Sequence, residues 1–148
     1  MPKVSVLLSN YNGDKHLDES ISSVLSQTYK DFEFIIVDDA STDSSRKVIE
    51  NYHDKRIKKY YVEKNRNIAY SLNLALSMAS GEYIARIDSD DVWELNKLEI
   101  QVQYMENHSE CGACFTKVNI IDEYSNIAND MYDEYFQLFN SAENKSQR

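Results

Sequence analysis

The chain has 148 residues, 42% of them hydrophobic, with three glycines and one proline, which suits one domain with one core and excludes disordered and collagen-like classes. A formal net charge of −9 makes it a poor candidate for gripping a nucleic-acid backbone, so a phosphate ligand would need a metal for much of its counter-charge. No apolar run is long enough to cross a bilayer, and Met1-Pro2-Lys3-Val4 enters a strand without a signal-peptide core, so a cytoplasmic chain is expected.

Val4-Ser5-Val6-Leu7-Leu8 is a nearly continuous apolar run, the pattern of a parallel strand covered on both faces. A polar loop, Ser9 to Gly13, follows it. Leu17, Ile21, Val24 and Leu25 then fall at helical spacing, which predicts an amphipathic helix over Lys15 to Gln27. Phe32 to Val37 is the second strand and ends in Asp38-Asp39-Ala40-Ser41-Thr42-Asp43. Ser41, Thr42 and Asp43 are all suitable N-caps for a helix from Ser44 to Tyr52. Ile57 to Val62 carries more charge and reads as a third strand near a sheet edge.

Ile68, Leu72, Ala75, Leu76 and Ala79 mark a helix that stops before Gly81, a glycine suited to close it. Gly81 to Asp91 then reads as a buried strand that ends in three carboxylates, Asp88, Asp90 and Asp91. Leu95, Leu98, Val102 and Met105 predict a fourth helix, and Cys114 to Ile121 a fifth strand. A further helix is expected around Tyr132 to Phe139, before a polar tail. Strands alternating with helices predict an α/β fold, a mostly parallel sheet with helices on both faces. Residues 1–121 would form that domain and residues 122–148 an acidic, partly helical tail.

Three polar clusters end apolar strands: Ser9-Asn10-Tyr11, Asp38-Asp39 and Asp88-Ser89-Asp90-Asp91. A parallel sheet puts all three on one edge, where ligands bind in such folds. Crowded carboxylates repel one another unless a cation sits among them. A hard divalent ion carrying a nucleotide's phosphates is an economical guest; the plain alternative is a solvated acidic turn. On the ligand reading Tyr11 stacks on a base, or else only packs over the sheet edge. Asp39 accepts a base imide N–H, Asp88 bonds ribose hydroxyls, and Asp90 and Asp91 hold the metal. Cys111 and Cys114 precede a strand-like run, not a helix, and lack a second pair, so buried reduced thiols are expected.

Val4 to Asn12 resembles the opening strand of glycosyltransferase family 2, and Ser22-Ser23-Val24-Leu25-Ser26-Gln27-Thr28-Tyr29 its first helix and turn. Val37 to Asp43 is similar to its nucleotide-binding turn. Asn65 and Ser71-Leu72-Asn73 resemble its next signature, and Gly81 to Asp91 its metal-binding stretch. Lys97-Leu98-Glu99 with Gln101 resembles the helix after it. The likeness runs in order over about residues 3 to 121. It implies a Rossmann-like GT-A half and a nucleotide-diphosphate-sugar donor, usually UDP-linked. It also implies inverting transfer with Mg²⁺ or Mn²⁺ to a saccharide or lipid-linked acceptor, in bacterial surface polysaccharide synthesis at the inner face of the membrane. Carried over by position, Ser9, Tyr11, Asp39, Asn65 and Asp88 are nucleotide-binding candidates. Asp88 and Asp90 match the Asp-x-Asp positions, and Asp91 is a further metal ligand.

The chain departs from many relatives at Asn67, where they have glycine, and at Leu72, where they have a basic residue. No carboxylate sits in a motif that makes it the general base: Asp122, Glu123, Asp130, Asp133 and Glu134 read as solvated surface. The alternative is therefore a nucleotide-sugar-binding module without that base. A missing acceptor half would leave apolar surface and favour self-association. A receiver-type signalling domain would need its acidic pair after the first strand, where Ser9-Asn10-Tyr11 stands. A nucleotidyltransferase would need a glycine-rich basic loop there.

Overall fold

A computed structural model describes residues 1–128. Its elements are β1 (Val4–Asn10), α1 (Leu17–Leu25), β2 (Phe32–Asp38), α2 (Ser45–Asn51), β3 (Ile57–Tyr61), α3 (Asn67–Met78), β4 (Tyr83–Asp88) and α4 (Lys97–Asn107). By contact the chain divides into two units, Met1–Gln103 and Tyr104–Arg148.

The first unit holds a four-stranded, all-parallel sheet of order β3-β2-β1-β4. In the β1–β2 pair Val4 faces Phe32 and Asn10 faces Asp38; in the β1–β4 pair Ser9 faces Asp88. The chain winds outward from β1 through β2 to β3, then crosses back to lay β4 on the other side of β1. The winding therefore reverses between β1 and β4, and the loops leaving those two strands diverge there and open a crevice.

One sheet face carries Val4, Val6, Leu8, Phe32, Phe34, Ile36 and Ile87. It packs with Leu17, Ile21 and Val24 of α1, Ile49 of α2, and Leu98 and Val102 of α4. The other face carries Leu7, Ile35 and Val37 under Ala75 of α3. Helices thus lie on both faces, as the alternation of patterns requires, and β3 lies at an edge.

Three expectations are corrected. β4 is not buried on both sides: Ile84 is 47% exposed and Arg86 is exposed too. Among the described residues β4 is an edge strand, and α3 lies over β1 and β2, so the β4 side chains on that face go uncovered. Gly81 does not close α3, which ends at Met78 with Ala79 extended. Its role is close approach. A Cβ there would lie 2.5 Å from the Ser5 nitrogen and 2.6 Å from the Val4 carbonyl carbon, and its N–H donates to Ser5 Oγ at 2.8 Å. Lastly, residues 114–120 form no strand. The segment is mostly exposed, and Ile121 makes only an isolated antiparallel bridge to Ile127. A β-prone composition cannot make a strand without a neighbouring ladder.

Cys111 and Cys114 are not joined in a disulfide, and they are half-buried where buried thiols were expected. Asp122 is a turn-former whose Oδ1 accepts the N–H groups of Tyr124 and Asn126, both at 2.9 Å. The helix expected around Tyr132 to Phe139 and the tail after it lie outside the described residues.

Candidate functional site

At the carboxyl ends of β1 and β4, in the crevice where the winding reverses, is a hollow of about 390 Å³. Ser9, Tyr11, Asp39, Asn65, Asn67, Ile68, Asp88, Ser89 and Asp90 line it. Six of the seven candidate residues are in this wall. Asp91 is not; it follows directly behind Asp90.

The loops after β1 and β2 are laced together. Asn10, fully buried, donates from Nδ2 to Asp38 Oδ1 at 2.9 Å and to Ser41 Oγ at 3.1 Å. The Asn12 N–H donates to Ser41 Oγ at 2.9 Å, and Asn12 Oδ1 accepts the Thr42 N–H at 2.8 Å. The Gly13 N–H donates to Ser45 Oγ at 3.1 Å and the Asp14 N–H to Asp43 Oδ2 at 3.1 Å. Asn12 and Ala40 both take positive φ, 53° and 62°. This lacing fixes the loop base and leaves Tyr11 at its tip, 52% exposed with its ring free for a flat partner.

The Asp38-Asp39 pair separates into two tasks. Asp38 points to the helix-packed face, where it accepts Asn10 Nδ2, the Ser41 N–H at 3.1 Å and Ser41 Oγ at 2.5 Å. It pins the turn and does not reach the hollow. Asp39 lies past the strand end and lines the hollow, with the Arg66 N–H donating to Oδ1 and Oδ2 at 2.9 and 3.1 Å. An ionised carboxylate has about four acceptor sites, so Asp39 can still receive a ligand's N–H. The N-cap of α2 is Ser44 and not Ser41, Thr42 or Asp43 as expected, but Asp43, one residue before it, accepts the Ser45 N–H at 2.9 Å. Burial opposes ionisation of Asp43, but its hydrogen bonds with Ser45 and Asp14 prevail and lower its pKa.

Asn67 has φ 73°. Only glycine or an asparagine-like side chain takes that geometry readily. Its Oδ1 also accepts the Tyr70 N–H at 3.2 Å, which ties down the first turn of α3.

The acidic turn is held from below by polar residues of α1 and the turn after it: Ser23 and Gln27, which lie in the stretch resembling the family's first helix and turn, and Ser20, which lies outside it. Ser20 Oγ donates to the Ser89 carbonyl at 2.9 Å, and Ser23 Oγ accepts the Trp93 N–H at 3.1 Å. Gln27, fully buried, donates to the Glu94 carbonyl at 2.7 Å and accepts the Leu98 N–H at 2.9 Å. Their signal was in the sequence: a helix whose inward stripe carries serines and a glutamine must give them partners.

Among the carboxylates, Asp88 is paired: Arg86 Nη2 lies 2.6 and 2.9 Å from its two oxygens. Asp91 is exposed by surface area, although neighbouring atoms crowd its carboxyl. Desolvation first, then the charges of Asp88 and Asp90, hold its pKa above the ordinary value. Among the described residues no three His, Cys, Asp or Glu side chains form a metal cage. That suits Mg²⁺ or Mn²⁺ bound by one or two carboxylates, with substrate phosphates and water completing the shell. Asp90 on the wall, backed by Asp91, fits that donor set, and among the described residues no Lys or Arg lines the hollow.

A parallel α/β sheet with an acidic hollow at its switch point belongs to the α/β class that binds ligands at that edge, and the solved structures it superposes on have the GT-A fold. The comparisons make that class specific. The profile described as "Glycosyl transferase family 2" matches residues 5–147, and the chain belongs to that family. It is 43% identical over 102 residues to the Escherichia coli UDP-Glc:alpha-D-GlcNAc-diphosphoundecaprenol beta-1,3-glucosyltransferase WfgD, a match covering 69% of this chain and 40% of WfgD. The structure of S. aureus TarS 1-349 with UDP-GlcNAc superposes with a TM-score of 0.69 at 32% identity, over 72% of this chain and 32% of that one. The mannosyltransferase PcManGT from Pyrobaculum calidifontis, solved with GDP-Man and Mn²⁺, gives 0.64 at 26% identity, over 83% of this chain and 37% of that one. The chain spans less than half the length of the curated relatives it matches.

Proposed function

We propose that this chain is the donor-binding portion of a glycosyltransferase, which takes a nucleoside-diphosphate sugar, UDP-linked, and passes the sugar to a saccharide or lipid-linked acceptor in bacterial surface polysaccharide synthesis. The observation that carries the reading is the convergence of Ser9, Tyr11, Asp39, Asn65, Asp88 and Asp90 on one hollow at the switch point. Tyr11 stacks on the base, and Asp39, held by the Arg66 N–H, accepts the imide N–H. Ser9 and Asp88 face the ribose across neighbouring strands, in the register the sheet imposes. Asn65 closes the side of the nucleoside next to Asp39.

Asp90 would hold a Mg²⁺ or Mn²⁺ ion, with Asp91 behind it. When bound, that ion supplies the positive charge that stabilises a departing diphosphate. Among the described residues no Lys or Arg is in the hollow's wall, so such an ion would supply the counter-charge for the diphosphate.

Calorimetry with UDP tests the reading, with and without Mn²⁺. Wild type should bind UDP with a heat that depends on the metal. Asp90→Ala should lose the metal dependence, and Asp39→Ala should weaken UDP more than tenfold, the loss of a charged hydrogen bond. No metal-dependent heat in wild type, or an unchanged heat for Asp90→Ala, would count against the proposal.

A further inference from the structure

Arg86 lies outside the hollow's wall but is bonded to Asp88, which is in it, and the reading above gives it no task. Its side chain and that of Asp88 are two apart on β4 and so stand on one face of an edge strand. Arg86 Nη2 donates to both Asp88 oxygens at 2.6 and 2.9 Å, and Nε donates to Oδ1 at 3.1 Å. The pair is open to solvent, with the two side chains 54% and 43% exposed. Exposed ion pairs contribute little to folding, so stability is a poor reason for a fork-on-carboxylate pair at the rim of a ligand hollow. Three carboxylates lie within four residues of this turn; Arg86 hydrogen-bonds to Asp88, while its charge also reaches Asp91.

We propose that Arg86 is a positioning residue that reserves Asp88 for the nucleoside. It occupies the inward-facing carboxylate with a fixed, bidentate partner and cancels its charge. Asp88 then presents acceptor lone pairs to hydroxyl groups but is a poor ligand for a divalent cation. Asp90 is left as the wall carboxylate that the metal can use. The consequence is ordered binding. Metal alone binds weakly, because one carboxylate is neutralised and a guanidinium stands beside the site. Metal together with a nucleoside diphosphate binds well, because the phosphates complete the coordination. This inference rests on the donor-site reading above but predicts something that reading does not.

The experiment uses the whole chain and three titrations: Mn²⁺ alone, UDP alone, and UDP with saturating Mn²⁺. Arg86→Gln keeps a polar amide donor on a shorter side chain and removes the charge; Arg86→Lys keeps the charge without the fork. Arg86→Gln should bind Mn²⁺ alone about tenfold more tightly, the effect of removing one positive charge from beside a divalent cation in water-like screening, while UDP affinity at saturating Mn²⁺ falls several-fold. Arg86→Lys should lie between wild type and Arg86→Gln in both. Adding Asp88→Asn to Arg86→Gln should abolish the gain in affinity for metal alone. A structural role would not move the two affinities in opposite directions. Unchanged affinities, or a parallel loss of both, would overturn the proposal. If wild type binds no UDP with Mn²⁺, the donor-site reading fails, yet the Mn²⁺-alone arm still decides whether Arg86 withholds Asp88.

Discussion

Replacing Glu33 with Gln should cost the fold about 3 kcal/mol at neutral pH, and acid should erase most of that cost. Glu33 is buried on β2, on the sheet face that α3 covers. Its Oε1 accepts Ser5 Oγ at 2.6 Å, the Ser80 N–H at 2.7 Å and Ser80 Oγ at 2.8 Å, and Lys58 Nζ lies 2.5 Å from Oε2. Burial alone would raise its pKa, but the Lys58, Ser5 and Ser80 contacts outweigh burial and lower it from 4.5 to about 2. The folded-state pKa is thus below the unfolded one. The stabilisation is complete above about pH 4.5 and is lost as pH falls toward 2. That shift corresponds to about 3 kcal/mol, of which about 2 should be gone by pH 3. Glutamine keeps an oxygen for the two serines but turns an amide toward the Lys58 ammonium, so the loss is chiefly that of the charge. Denaturant unfolding of both proteins at pH 7, 5, 4 and 3 measures the difference, in which other titrating groups cancel. A gap of about 3 kcal/mol at pH 7 should narrow to about 1 kcal/mol at pH 3. A gap that stays constant with pH, or one below about 0.5 kcal/mol at pH 7, would refute the assignment of this charge to the fold.

Two further outcomes follow from buried bonds and backbone geometry. Gln27→Leu strips partners from the Leu98 N–H and the Glu94 carbonyl; it should cost about 3 kcal/mol in denaturant and weaken Mn²⁺-dependent UDP binding, because the segment behind the acidic turn loosens. Asn67→Gly should be tolerated within about 1 kcal/mol, whereas Asn67→Val should cost about 2 kcal/mol through its φ of 73° and the lost bond to the Tyr70 N–H; equal melting temperatures for the two variants would dispose of the backbone argument.

The strands and their common edge were legible because burial on both faces writes a continuous apolar run, as in β1 and β2, and because a parallel sheet sends every strand end the same way. Nothing more was needed to bring Tyr11, Asp39 and Asp90 to one hollow. What could not be read is which way a side chain turns once the strand stops. Asp38 and Asp39 are chemically identical neighbours, yet one pins Asn10 and Ser41 while the other meets the hollow. Their difference is set by the pleat, and a shift of one residue in the strand's end would exchange their tasks. Gly81 misled for a similar reason. A glycine after a helical pattern usually relieves a turn, but this one relieves a contact with Ser5 that is 76 residues away in the chain.

The same logic explains why Arg86 was passed over as a site residue. In a run such as Tyr83-Ile84-Ala85-Arg86-Ile87-Asp88, an arginine reads as an interruption of a buried strand. On an edge strand it is instead the neighbour, two residues back, of the first carboxylate. Alternation therefore carried the message: Ile84, Arg86 and Asp88 share the face that α3 leaves uncovered, and Tyr83, Ala85 and Ile87 share the packed one. A strand that is apolar on one side and basic-then-acidic on the other cannot lie in the middle of a sheet without burying an ion pair at a cost. That placement at the edge makes the pair reachable by solvent and ligand together, and it is why charge, not packing, should decide what Arg86 does.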